Sequence, residues 1–95
     1  MKSEGPVAAA LRSKLEAALK PVRIEIVDDS ARHAGHEGAR AGGESHFTLA
    51  VVAEAFAGRS RVERQRLINQ ALREELAGPV HALSIKALAP GEPGA

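Results

Sequence analysis

The chain has 95 residues, enough for a single domain with a modest core and little to spare. Apolar residues make up 44% and aromatics only 2%, so an aliphatic core must form around Phe47 and Phe56, with no Trp or Tyr to stack on single-stranded nucleic acid. A formal net charge of +1 confines any basic behaviour to local patches, and the absence of cysteine rules out disulfides and fits a reducing compartment.

The opening Met1-Lys2-Ser3-Glu4-Gly5-Pro6 has neither the apolar core nor the cleavage site of a secretory signal, and no apolar run approaches a membrane span. Both set the expectation of a soluble, cytoplasmic protein. Residues 6–20 then repeat apolar side chains at helical spacing: Val7, Leu11, Leu15 and Ala18/Leu19. Arg12, Lys14 and Glu16 fall mostly away from that stripe, Ser3 or Gly5 offers a cap, and Pro6 suits the first turn. Pro21 stops the helix. Residues 22–27 read as a strand, with Val22, Ile24 and Ile26 on one face and Arg23 and Glu25 on the other.

Residues 28–44 lack periodicity and contain Gly35, Gly38, Gly42 and Gly43; a connection this long in so small a domain is usually functional or disordered. Phe47, Leu49 and Val51 then alternate with His46, Thr48 and Ala50 as a second strand. Ser60 followed by Glu63 forms a capping box, opening a helix whose apolar stripe is Ile68, Ala71, Leu72 and Leu76. Gly78 and Pro79 end it, the glycine expected in the left-handed position after the last turn. Residues 80–88 form a third strand with Leu83 and Ile85 inward, and residues 90–95 form a tail expected to be flexible.

The order is therefore helix, strand, strand, helix, strand. The final strand–helix–strand connection should be a right-handed crossover, making the last strand parallel to the second. The first two strands pair antiparallel. The expected fold is a two-layer α+β domain with a mixed three-stranded sheet, helices on one side only, and an ordered core over about residues 6–89.

Histidine is the only strong soft-metal donor that the composition leaves. His81 follows the Gly78-Pro79-Val80 break and shares a face with Leu83 and Ile85. It is either a histidine at the core edge bonded to a backbone carbonyl or a metal ligand whose ring the strand end fixes. His33 and His36 lie three apart in the glycine-rich segment, where they either chelate or simply face solvent; Gly35 and Gly38 permit the positive dihedrals that a close approach needs. His46 alternates onto the polar face of its strand and reads as structural or exposed rather than as a ligand.

Arg59, Arg61, Arg64 and Arg66 surround the start of the second helix. They form either a solvated face paired with Glu63, Glu74 and Glu75 or a site for an anion such as phosphate, a glutathione carboxylate or a nucleic-acid backbone. Gly58 and Gly78 do not make the phosphate-clamping GxxG loop of a KH domain. Ser30, Ser45 and Ser84 lack any nucleophile–base arrangement, so no enzyme is expected.

Glu44-Ser45-His46-Phe47, Phe56-Ala57-Gly58, Arg64-Gln65-Arg66-Leu67-Ile68-Asn69, Leu72-Arg73-Glu74-Glu75-Leu76 and Val80-His81-Ala82-Leu83-Ser84-Ile85 together resemble the BolA family. The resemblance runs in order from about residue 7 to residue 90. Gln65 departs from it, since the family commonly has histidine between the two arginines. The resemblance implies a fold like the type II KH domain without its GxxG loop. It also implies partnership with monothiol CGFS-type glutaredoxins, through a bridging 2Fe–2S cluster or as an apo complex. It assigns one cluster ligand to the position of His81 and another to the segment between the first two strands, where His36 is the best match and His33 the fallback. The sulfur ligands would come from the glutaredoxin and bound glutathione. The alternative implied by the same resemblance is a DNA-binding transcriptional regulator using the arginine-rich second helix.

Overall fold

The computed structural model describes residues 5–29 and 45–95. Helix α1 (Pro6–Leu19) leads into strand β1 (Arg23–Asp28), and β2 (His46–Val52) ends at a short 3-10 turn, Glu54–Phe56. Helices α2 (Arg61–Ala71) and α3 (Arg73–Ala77) precede strand β3 (Ala82–Leu88). The sheet order is β1-β2-β3, with β1 antiparallel and β3 parallel to the central β2. This is the mixed three-stranded α+β sheet expected from the sequence.

Period-2 alternation divides the sheet into a packed and an open face. Phe47, Leu49 and Val51 point from β2 toward the fully buried Leu11 and Leu15 of α1, Ile68 of α2 and Leu72 at the junction of α2 and α3. Glu25, Thr48, Ser84 and Lys86 are exposed on the other strand positions. A charged clasp supplements the apolar layer: Lys14 of α1 reaches Glu74 at 2.9 Å and Glu75 at 2.7 Å on α3. Among the described residues no helix is long and apolar enough to cross a membrane.

The capping box at the start of α2 forms in both directions: Glu63 N donates to Ser60 Oγ at 3.1 Å, and Ser60 N donates to Glu63 Oε1 at 2.7 Å. Because the hydroxyl satisfies an amide that would otherwise lack an intrahelical partner, Ser60→Ala should destabilise the domain by about 1 kcal/mol. Urea denaturation should show this as a lower midpoint with an unchanged slope.

Several details differ from the sequence expectation. Val22 lies outside β1 and is 67% exposed, because the ladder ends at Arg23↔Val52 just after the chain turns at the left-handed Lys20 (φ 47°). The single helix expected after Ser60 bends at Leu72 (φ −105°, ψ 16°) with neither proline nor glycine there. Its hydrogen bonds Leu72 N to Ile68 O and Leu76 N to Leu72 O continue through the bend. Gly78 is not left-handed (φ −111°, ψ −112°); a side chain there would instead meet the Glu74 carbonyl at 3.3 Å. Finally, β3 starts at Ala82, because the buried Val80 spends its N–H on the Glu75 carbonyl at the end of α3.

Candidate functional site

The parallel pairing of β2 and β3 places the beginnings of both strands at one end of the sheet. His46 opposes Ala82 in register, so His81, one residue earlier, lies diagonally beside His46. Their imidazoles stack, with ring centroids 6.1 Å apart and planes 19° from parallel. His46 is half-buried and His81 is exposed. At the position just before β3 the strand alternation no longer governs His81, and its ring joins His46 rather than the core side of Leu83 and Ile85.

Ser45 links the two histidines. It is completely buried, and its carbonyl accepts from His81 N at 2.7 Å and Ala82 N at 3.2 Å. Its Oγ lies 2.8 Å from His46 Nδ1. One residue therefore holds the His81 backbone and fixes one edge of the His46 ring. On the other side of β2, Asp29 N donates to the His46 carbonyl at 2.7 Å, while Thr48 Oγ1 donates to Asp29 Oδ2. The chain thus leaves β1 and returns at Ser45 beside the histidine pair. His33 and His36 lie between those points, outside the described residues.

His46 was the residue that alternation undervalued. Its place on the polar face is correct, but that face is also where the first residue of one parallel strand meets the approach to the next. The expected crossover already contained this neighbour relation. The backbone clamp through Ser45 had no such signal in the sequence.

The four arginines have separate fates. Arg61 and Arg66 are exposed, and Arg59 Nε donates to the Ala55 carbonyl at 2.8 Å. Arg64 is committed to the tail: Nη1 donates to Glu92 Oε1 at 2.6 Å and Nη2 to Glu92 Oε2 at 3.1 Å. It also donates to the carbonyls of Ala87 and Arg59 at 3.0 Å, and its side chain is only 12% exposed. A groove of about 400 Å³ lined by Arg59, Arg61, Lys86 and this ion pair runs between α2 and β3.

The Arg64 fork, followed by the Ala89 N–H, holds the Glu92 carboxyl below its ordinary value of 4.5. A carboxylate depressed by folding contributes stability above its unfolded value and loses that contribution as pH falls through the folded value. The stability gap between the wild type and Glu92→Gln should therefore be widest above pH 4.5 and narrow below it. Urea midpoints across the acid range measure this; a gap independent of pH would contradict it.

A family model described as BolA-like protein matches residues 15–92. BolA-like protein 1 of Mus musculus is 51% identical over 88 residues, covering 93% of this chain and 61% of that protein. The chain thus spans about three fifths of the length of the mammalian relatives it matches. Among solved structures, the BolA domain of SufE1 from Arabidopsis thaliana superposes with a TM-score of 0.82 at 45% identity, covering 93% of this chain and 96% of that one. The solution structure of BolA1 from Mus musculus gives a TM-score of 0.77 at 48% identity, covering 95% and 70%.

Proposed function

Because the chain belongs to the BolA-like protein family, we propose that it is a non-enzymatic partner of a monothiol glutaredoxin. The pair shares a 2Fe–2S cluster, and the protein serves iron–sulfur trafficking or iron sensing. Its ligands are His81 and a histidine of the segment between β1 and β2, His36 with His33 as the alternative.

The observation that carries this reading is His81 itself. An exposed imidazole is held by its backbone on a buried carbonyl, beside the two points where the histidine-bearing segment leaves and rejoins the sheet. The donor chemistry fits. With no cysteine the chain offers iron no thiolate of its own but does offer imidazole, so thiolates must come from the glutaredoxin and glutathione. When bound, a cluster with imidazole in place of thiolate on one iron has a raised reduction potential and a ligation sensitive to histidine protonation. As a ligand His81 would offer a ring nitrogen of neutral imidazole, and the Ser45 carbonyl, by holding its backbone N–H, sets where that ring starts from.

A DNA-binding role would need arginines turned outward from α2. Arg61 and Arg66 are exposed there, but Arg64 is committed to Glu92 and two carbonyls, which narrows the basic face that reading would use.

The test is reconstitution with a monothiol glutaredoxin, glutathione, iron and sulfide, followed by size exclusion, visible absorption and circular dichroism. A heterodimer whose cluster spectrum differs from that of the glutaredoxin alone is the expected result. No complex and an unchanged spectrum would discard the cluster role.

A further inference from the structure

We infer that His46 is a positioning residue for His81, acting as a ring platform that Ser45 holds in place. This rests on the proposed role of His81 as a ligand, but the platform itself is a property of the isolated protein.

Three observations lead to it. First, the two imidazoles lie 6.1 Å apart and nearly parallel, within the range of offset aromatic stacking. Second, the rings are unequally placed: His46 is half-buried with Nδ1 against Ser45 Oγ at 2.8 Å, while His81 is exposed. The first ring is suited to be fixed and the second to meet a partner. Third, Ser45 is fully buried and its carbonyl receives both His81 N and Ala82 N. The His46 ring and the His81 backbone are thus referred to one immobile residue, and their relative position is set before any ligand arrives.

Such a platform is useful because His81 lies just ahead of β3. There the ladder fixes its backbone on one side only, and an exposed side chain at such a point samples several rotamers. Ordering one such side chain on binding weakens association by roughly two- to tenfold. A neighbouring ring that already selects the rotamer removes that loss. The role needs a flat ring at residue 46; it does not need a nitrogen there directed at the metal.

That distinction supplies the test. In the isolated protein, nuclear magnetic resonance should show the His81 ring protons moving toward unstructured shifts, with averaged side-chain couplings, in His46→Ala. They should remain close to wild type in His46→Phe, which keeps a ring and removes both nitrogens. His46→Gln, polar and without a ring, should behave like the alanine variant and replaces it if that variant does not fold. In the reconstituted complex with a monothiol glutaredoxin, cluster retention time should fall roughly two- to tenfold in His46→Ala or His46→Gln and recover in His46→Phe.

Unchanged His81 ring shifts in the ringless variants would overturn the platform. Equal loss of the cluster in His46→Phe and His46→Ala would overturn it as well, since residue 46 would then act through a ring nitrogen and not through the ring face. Should the wild-type protein take up no cluster while the ring shifts still respond as expected, the platform would stand and the cluster role would fall.

Discussion

His81→Ala is expected to return the visible circular dichroism of the reconstituted complex to that of the glutaredoxin alone. Cluster retention should shorten by at least the roughly 10–100-fold that loss of a metal site's supporting partners costs. The fold should be little affected, since His81 is exposed and its structural bond is made by its backbone N–H, which alanine keeps. Substitutions at such positions usually change stability by no more than about 0.5 kcal/mol. His36→Ala should cost less than His81→Ala, because the His81 backbone is already fixed by the Ser45 carbonyl and its ring lies against His46. A ligand whose position is set beforehand contributes more of its bond strength to net binding. Equal losses from the two substitutions, or a larger loss from His33→Ala than from His36→Ala, would count against this assignment.

Much of the scaffold was legible because its determinants are local. The capping box at Ser60 and Glu63 needs only a three-residue spacing, and the alternation of Phe47, Leu49 and Val51 needs only a strand. The parallel pairing of β2 and β3 followed from the handedness of a strand–helix–strand crossover. The misplaced details depend on partners distant in the chain. Val80 leaves the expected third strand because its N–H goes to Glu75, and Arg64 turns from the expected basic face because Glu92, 28 residues later, receives it. His46 stands between these cases. Its face was legible from alternation and its neighbour from the crossover, but joining the two required asking what the first residue of a parallel strand meets. His33 and His36, drawn from the sequence alone, fall outside the described residues, and substitution separates them.

Phe56→Ala should be strongly destabilising, costing about 3–5 kcal/mol. Phe56 is completely buried in the turn Glu54–Phe56, between the end of β2 and the start of α2. Its N–H donates to the Ala53 carbonyl at 3.1 Å, and its own carbonyl accepts from Arg59 N at 3.1 Å. The side chain thus anchors the turn that begins the crossover to β3. Phe47 is the only other phenylalanine and there is no Trp or Tyr, and an aliphatic core has no neighbour that can expand into a space of that size. Against the roughly 5–15 kcal/mol of a small domain, such a loss brings a marginal fold near its threshold. Phe56→Leu keeps most of the apolar volume and should cost about 1 kcal/mol. Urea denaturation of the two variants gives the comparison, and an alanine penalty no larger than that of leucine would show that the site collapses without a cavity. Because the crossover aligns β2 with β3, partial melting in Phe56→Ala should also separate His46 from His81. The histidine ring shifts should then move with the unfolding transition even though Phe56 lies at the opposite end of β2.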